Sequence, residues 1–161
     1  MTDIVFRQIG VIHSPFTEPE GMPIQPVGAR GVEGFIDVEP DLAPGLKDLD
    51  GFSHIALIYH FHRQTGYSLE LVPFLDDRPR GVFSTRAPRR PNGIGLSVVR
   101  LDRVDGARLH VLDLDILDGT PLLDIKPFVP EFEPDSEIRT GWLEESSRRA
   151  SQAKSDGRFE L

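Results

Sequence analysis

The chain has 161 residues, no cysteine and a formal net charge of -8 at pH 7. This length suffices for one domain with a hydrophobic core, and the lack of cysteine excludes disulfides, thiolate metal sites and a cysteine nucleophile. The acidic balance argues against a protein that coats nucleic acid by charge alone, and the sequence shows neither a membrane-length apolar run nor a signal-peptide pattern, which fits a cytoplasmic protein.

Short apolar or alternating runs lie between 14 prolines and 15 glycines, a pattern typical of β-strands and unfavourable for long helices. The predicted strands cover residues 4–13, 34–38, 53–62, 81–84, 95–104 and 108–117. Helical candidates cover residues 67–74 and the tail from 142 to 154. This order predicts an all-β fold, a sandwich or barrel. We expect one barrel domain over residues 1–134 and a C-terminal extension, partly helical or disordered, over residues 135–161.

The clearest strand is SHIALIYHFH, residues 53–62. Its alternation predicts that Ile55, Leu57 and Tyr59 share one face. His60 and His62 lie on the other face, two residues apart, a spacing at which both could bind one metal ion. Structural zinc sites need three or four ligands, and no further histidine follows a recognisable pattern. We therefore predict a polar strand end and no metal site.

A cationic loop precedes the next apolar strand, in a chain that is otherwise acidic. It holds five arginines and no acidic residue between positions 78 and 90, and proline or glycine interrupts it at Pro88, Pro91 and Gly93. Arginine side chains match carboxylates and phosphates with two parallel hydrogen bonds. The loop therefore predicts a pocket for an anionic group. The five arginines are Arg78, Arg80, Arg86, Arg89 and Arg90.

A second polar cluster follows the last predicted strand. The alternation slips at Val111-Leu112, which predicts a bulge or bend, and Asp118-Gly119 is a strong turn signal. A hairpin turn alone would explain Asp118, but not the nearby Asp124 and Lys126. No glycine-rich nucleotide loop, P-loop, GxSxG or HExxH motif is present, so Rossmann, P-loop, serine-hydrolase and zinc-protease chemistry lack support.

Two segments together resemble the TsaA-like family, whose best-known members are TrmO-type tRNA adenine N6-methyltransferases. GVFSTRAPRRPNGIGLS (residues 81–97) resembles the signature GVFATRSPxRPNPIGLS, and LDGTPLLDIKPFVP (residues 117–130) resembles LDGTPVLDIKPYxP. The likeness covers roughly residues 4–134 in consistent order. Gly93 replaces a proline of the first signature, which loosens the loop.

The resemblance implies a small β-barrel, a homodimer and bound S-adenosyl-L-methionine. The aromatic residues Phe128, Phe132 and Trp142 are candidates for the partner surface, since aromatic side chains favour interface cores. By position in the family pattern, the cofactor would contact Gln25, Pro26, Val27, His62, Arg63, Arg86, Leu96, Ile116, Leu117, Asp118 and Gly119.

The resemblance also implies a reaction: transfer of the methyl group to N6 of the threonylcarbamoyladenosine next to the tRNA anticodon. Asp124 or Asp118 would take the N6 proton, and Lys126 or an arginine would hold the threonyl carboxylate. Arg89, Arg90 and Asn92 are the candidates for contacts with the tRNA anticodon loop. The alternative is an S-adenosylmethionine-binding sensor or accessory protein without methyl transfer.

Overall fold

A computed structural model describes residues 2–134 and 136–159 of the chain. In this part, six of eight strands close into an antiparallel barrel in the order β1-β2-β7-β6-β3-β8, and β4 pairs with β5 outside it. The predicted all-β fold is confirmed as a barrel. The strands are β1 Gly10–His13, β2 Glu33–Val38, β3 His54–His60, β4 Glu70–Leu71, β5 Arg80–Gly81, β6 Ile94–Asp105, β7 Arg108–Leu112 and β8 Thr120–Pro127.

Short 3-10 helices occupy the connections and the C-terminal segment. Each is three to seven residues long, because proline and glycine recur too often for longer helical hydrogen-bond ladders. Two of them lie in the predicted helical tail. The 3-10 helices are Pro26–Gly28, Pro40–Leu46, Leu49–Gly51, Val82–Ser84, Pro130–Phe132, Gly141–Leu143 and Ser147–Ser151.

The barrel core is built from the inward-facing residues of the alternating strands. On β3 the predicted face is confirmed, because Ile55, Leu57 and Tyr59 are buried while their neighbours are not. Burying one such large apolar side chain contributes about 1.5–3 kcal/mol. The fully buried members of the core, all 2% exposed or less, are Ile12, Ile36, Ile55, Leu57, Val99, Leu109, Val111, Leu114, Ile116 and Leu122.

Several predicted element boundaries were wrong. The first strand begins only at Gly10 rather than at residue 4, and the side chain of Val5 is 91% exposed. Residues 67–74 form no helix, because Glu70–Leu71 pairs with Arg80–Gly81 instead. Residues 120–127, read as a turn and site, form strand β8 between β1 and β3. Proline at both ends of β8 hid its strand character in the sequence.

The bend predicted near Val111-Leu112 occurs one residue later, at Asp113. Its φ angle is 67°, in the left-handed region that aspartate tolerates better than most residues. Its carboxylate accepts a hydrogen bond from the Gly31 amide at 2.7 Å and from Arg100 Nε at 2.6 Å. The bend follows the last residue of β7, where period-two burial ends, and Leu114, Asp115 and Ile116 are all buried.

The predicted extension, residues 135–161, begins and ends with residues outside those described, namely 135, 160 and 161. Its described part packs against connections between the barrel strands. The Trp142 indole N–H donates to the Ser84 carbonyl at 2.9 Å, and Pro23 and Lys154 form an isolated β-bridge. We call residues 136–159 the C-terminal arm.

Candidate functional site

A cavity of about 1020 Å³ opens at the end of the barrel where β3 ends and β6 and β8 begin. Its walls come from loops that are far apart in sequence, together with the C-terminal arm. This convergence fits the usual form of ligand sites, which are concave, mostly apolar and carry a few polar groups. The wall segments include residues 22–25, 59, 61–64, 73–75, 83–88, 90–92, 94–96 and 115–117.

The structure brings most of the predicted cofactor-binding residues to this cavity. The remaining four lie just beyond its lining. Pro26 and Val27 continue from Gln25 into a 3-10 helix, and Gly119, with a φ of 75°, forms the turn into β8. Asp118 accepts a hydrogen bond from the Ser14 amide at 3.1 Å, next to the cavity wall. The predicted residues that line the cavity are Gln25, His62, Arg63, Arg86, Leu96, Ile116 and Leu117.

Arg86 joins two of the predicted segments directly. Its Nη1 donates a hydrogen bond to Oε1 of Gln25 at 3.3 Å, across 61 positions of sequence. A guanidinium carries five N–H donors in a planar fork, so one contact leaves the group able to bind a ligand carboxylate. The cavity therefore offers a positioned cation.

Two lining residues, Tyr59 and Asp115, belong to a hydrogen-bonded chain of three side chains that we did not predict as site residues. Ser97 Oγ donates to Oδ1 of Asp115 at 2.7 Å, and the Tyr59 hydroxyl lies 3.1 Å from Ser97 Oγ. Since serine has one hydroxyl proton, Tyr59 donates to Ser97. A Cβ on Gly95 would clash with the Tyr59 ring, so glycine at this position lets the ring pack against β6.

Burial controls the protonation of this chain. It raises the pKa of Asp115 to about 6, although the Ser97 hydrogen bond and the charge of Arg86 act in the opposite direction. Burial first, and then the charge of Asp115, raise the pKa of Tyr59 well above its ordinary value. Tyr59 is therefore a hydrogen-bond donor at any working pH, whereas Asp115 changes charge near neutrality.

His62 and Arg63 end β3 at the cavity mouth. Burial lowers the pKa of His62, with further lowering from His60 and Arg63, so the ring is neutral at pH 7. Arg63 forms an ion pair with Glu18 at 3.0 Å and donates to the Thr17 carbonyl, which ties it to the loop after β1. Both predicted residues line the cavity, and Arg63 already contacts Glu18 and Thr17 of the same chain.

Of the three predicted tRNA-contacting residues, two line the cavity and one does not. Arg90 and Asn92 line the cavity, but Arg90 Nη1 donates to the carbonyls of Thr85 and Ala87 and so braces its own loop. Arg89 is not part of the lining, and its buried Nε has no partner within the described residues.

The predicted catalytic pair lies elsewhere. Asp124 and Lys126 are two residues apart on β8, and Lys126 Nζ contacts Oδ2 of Asp124 at 2.8 Å. The Lys126 side chain is exposed and that of Asp124 is partly exposed, and neither lines the cavity. Within residues 2–134 and 136–159, no group of three or more histidine, cysteine, aspartate or glutamate side chains is placed to hold a metal ion.

The family assignment follows from the match to a known domain model. Residues 11–134 match the model of the tRNA-methyltransferase O N-terminal domain, and this range contains all of the barrel strands except the first residue of β1. This chain belongs to the TrmO family. The resemblance drawn from the two sequence signatures is thereby confirmed.

Relatives and solved structures support this family assignment. A Pyrococcus abyssi protein, named a probable S-adenosyl-L-methionine-binding protein, is 53% identical over 97% of this chain and 85% of its own length. A mouse tRNA (adenine(37)-N6)-methyltransferase is 32% identical over 81% of this chain, which spans 32% of that enzyme. The crystal structure of TrmO from Pseudomonas aeruginosa has a TM-score of 0.72 and 39% identity, covering 88% of this chain and 63% of that one.

The C-terminal arm lies after the TrmO-domain match, yet it supplies part of the cavity wall. Trp142, Ala150 and Phe159 of the arm are among the residues that line the cavity. Trp142, a candidate for the partner surface, packs on its own chain: its indole N–H donates to the Ser84 carbonyl, and Arg80 lies over its ring at 5.4 Å. Within the described part of the chain, no helix is long and apolar enough to cross a membrane.

Proposed function

We propose that this chain is an S-adenosylmethionine-dependent methyltransferase that methylates N6 of threonylcarbamoyladenosine next to the tRNA anticodon. One observation carries the proposal. Seven of the residues that the TrmO resemblance assigns to the cofactor, from four separate segments, line a single cavity. The names of the relatives, one an S-adenosylmethionine-binding protein and one a tRNA adenine methyltransferase, support the same reading.

The cavity fits S-adenosylmethionine in size and chemistry. Its volume of about 1020 Å³ is at the upper end of the ~300–1,000 Å³ of small-molecule sites, so it has room for the cofactor and part of an acceptor. Arg86 suits the cofactor carboxylate, and Leu96 with Leu117 forms an apolar wall for the adenine. The buried Oε1 of Gln64 has no partner within the described residues and is placed to accept an N–H from a ligand.

The bound cofactor would supply a methyl group on a positively charged sulfur. The chain's own contribution is mainly to align the acceptor nitrogen with that carbon, since positioning accounts for a large share of such rate enhancements. Apolar side chains of the lining, among them Leu96, Ile116 and Phe83, offer the ligand apolar surface to pack against. Proton removal from N6 completes the transfer.

Asp118 and Asp124 are the candidates for the general base. Asp118 lies at the cavity edge, where its carboxylate is 3.4 Å from Nδ1 of His13. Asp124 and Lys126 lie outside the cavity of one chain, so a catalytic role for them requires the second subunit of the predicted homodimer. We propose the homodimer on the basis of the family resemblance. Light scattering at micromolar concentration tests it. If the protein is a monomer, Asp118 is the remaining candidate for the base.

A cofactor-binding protein without methyl transfer is the second candidate, favoured by the name of the 53% identical relative. One assay separates the two. The protein is incubated with S-adenosylmethionine labelled in the methyl group and with tRNA that carries threonylcarbamoyladenosine, using tRNA without this modification as the control. Label in N6-methylated nucleoside supports the enzyme. Tight cofactor binding by calorimetry, with no label transferred, supports the binding protein.

A further inference from the structure

Asp115 is unusual among the side chains of the cavity. Within the described residues it is the only acidic side chain of the lining, which also contains the cations Arg63, Arg86 and Arg90. The residue is only 8% exposed, and what remains accessible faces the cavity. A ligand that carries positive charge therefore meets one carboxylate in this cavity.

The carboxylate is held in place but not neutralised. Ser97 donates to its Oδ1, and Tyr59 donates in turn to Ser97, so one oxygen is fixed from the core side. No lysine, arginine or histidine of the described chain forms an ion pair with Asp115. A buried carboxylate without a cationic partner costs the fold free energy. Such a group is typical of a site whose partner arrives with the ligand.

We propose that Asp115 binds a positively charged group of S-adenosylmethionine as its counter-ion. This inference rests on the function proposed above. Arg86 and Asp115 then form a complementary pair in one cavity, with the guanidinium for the ligand carboxylate and the aspartate for a ligand cation. The ligand has two cations, the α-ammonium and the sulfonium, and both are attracted to a carboxylate for the same electrostatic reason.

The proposed contact predicts that ligand binding releases a proton from the protein. Near pH 6 the Asp115 carboxyl of the free protein is partly protonated, because burial raises its pKa to about 6. A bound cation favours the ionised form, so binding expels that proton and tightens as pH rises through this range. The other titratable or charged side chains around Asp115 and across the cavity are Tyr59, His62, Arg63, Arg86 and Arg90.

His62 is a second titratable neighbour, and burial lowers its pKa. Protonated His62 would also repel a cation, so the pH dependence of wild-type protein alone does not separate the two residues. The variant His62→Gln does. Persistence of proton release near pH 6 in this variant assigns it to Asp115, and its loss assigns it to His62 and contradicts the inference.

The central test is titration calorimetry of the full chain with S-adenosylmethionine between pH 5 and 7, in two buffers of different ionisation enthalpy. We expect Asp115→Asn to weaken binding about tenfold or more, since hydrogen bonds to charged groups are the strong ones, and to abolish proton release. The matched control is Asp102→Asn, which removes an exposed carboxylate on β6 that pairs with Arg103 at 2.6 Å. Binding of Asp115→Asn within twofold of wild type, with proton release unchanged, would overturn the proposal.

S-adenosylhomocysteine identifies which cation is bound, because it keeps the ammonium and lacks the sulfonium. Equal loss of affinity for both ligands in Asp115→Asn assigns the contact to the ammonium, and loss for S-adenosylmethionine alone assigns it to the sulfonium. Wild-type protein that binds neither ligand contradicts the proposed function itself. Wild-type binding that Asp115→Asn retains contradicts only the role of Asp115.

A second variant covers the case in which Asp115→Asn does not fold. Ser97→Ala removes the hydrogen bond that lowers the pKa of Asp115. We therefore expect the pH at which binding tightens to move upward in this variant, while binding well above that pH is retained. A midpoint that stays in place would show that Asp115 does not control binding.

Discussion

Asp113 and Asp115 are two residues apart and have opposite environments. Asp113 sits at the bend after β7, where Arg100 contacts both of its carboxylate oxygens and the Gly31 amide caps it. These contacts hold the pKa of Asp113 below its usual range. Asp115 lies on the cavity floor without a cationic partner, and burial raises its pKa to about 6. The first carboxylate stabilises the fold, and the second costs stability and is available to a ligand.

The largest expected effect comes from Arg86→Ala. This change removes the cation opposite Asp115 and the hydrogen bond to Gln25. Because the guanidinium is the proposed partner of the cofactor carboxylate, we expect affinity for S-adenosylmethionine to fall about 30- to 150-fold, corresponding to roughly 2–3 kcal/mol for a charge-assisted contact. Calorimetry measures it. Arg103→Ala, which removes a surface arginine of β6, is the control, and equal losses in both variants would contradict a specific role for Arg86.

The next effect concerns the stabilising carboxylate. Asp113→Asn keeps a residue that tolerates the positive φ of 67° but loses the charge that Arg100 contacts. We expect the free energy of unfolding to fall by about 1–3 kcal/mol at pH 7, with cofactor affinity unchanged. The lowered pKa means that wild-type stability from this group is present above pH ~4 and is lost as pH falls. Urea unfolding at pH 7 and pH 4 measures both, and a difference that is larger at pH 4 contradicts the assignment.

Asp115→Asn should behave in the opposite way. The pKa of about 6 in the folded chain exceeds the ordinary 3.8, so the stability tied to its proton is present below pH ~4 and lost as pH rises through about 6. We expect the variant without ligand to be more stable than wild type by about 1–2 kcal/mol at pH 8, with the gain shrinking below pH 6. Thermal unfolding over this pH range measures the difference. A variant less stable than wild type at pH 8 would make Asp115 a structural residue.

The smallest effect is expected at an exposed pair. Asp102→Asn breaks the contact with Arg103 on the outer face of β6, and exposed ion pairs contribute about 0–1 kcal/mol. We expect unfolding to change by less than about 0.5 kcal/mol and cofactor affinity not to change. A loss comparable to that of Asp113→Asn in urea unfolding would mean that charge removal alone, rather than the particular contacts of Asp113, explains the comparison.

Much of the barrel was predictable because its strands obey period-two burial. Ile55, Leu57 and Tyr59 show the alternation in the sequence, and the arginine cluster marks the loop that carries Arg86. Strand β8 was missed because proline and turn residues within it suggested a loop. Asp115 was missed for a different reason. Strand β7 ends at Leu112, so period-two burial does not apply to the segment that follows, and Leu114, Asp115 and Ile116 are all buried.

The contribution of the C-terminal arm could not be read from the sequence either. Its contacts with the rest of the chain join positions that are far apart in sequence, such as the hydrogen bonds of Trp142 with the Ser84 carbonyl and of Arg149 with the Leu75 carbonyl. Such contacts leave no periodic pattern in the chain. They depend on tertiary geometry alone, as does the hydrogen bond between Arg86 and Gln25.

A crystal structure of the full chain with S-adenosylmethionine tests the central claim most directly. We expect the ligand in the cavity between Arg86 and Asp115, its carboxylate on the guanidinium and one of its cationic groups against the Asp115 carboxylate. For the ammonium, the expected N–O distance is about 2.7–2.9 Å. A ligand bound outside this cavity, or bound within it with both cations away from Asp115, would contradict the role assigned to the unpaired carboxylate.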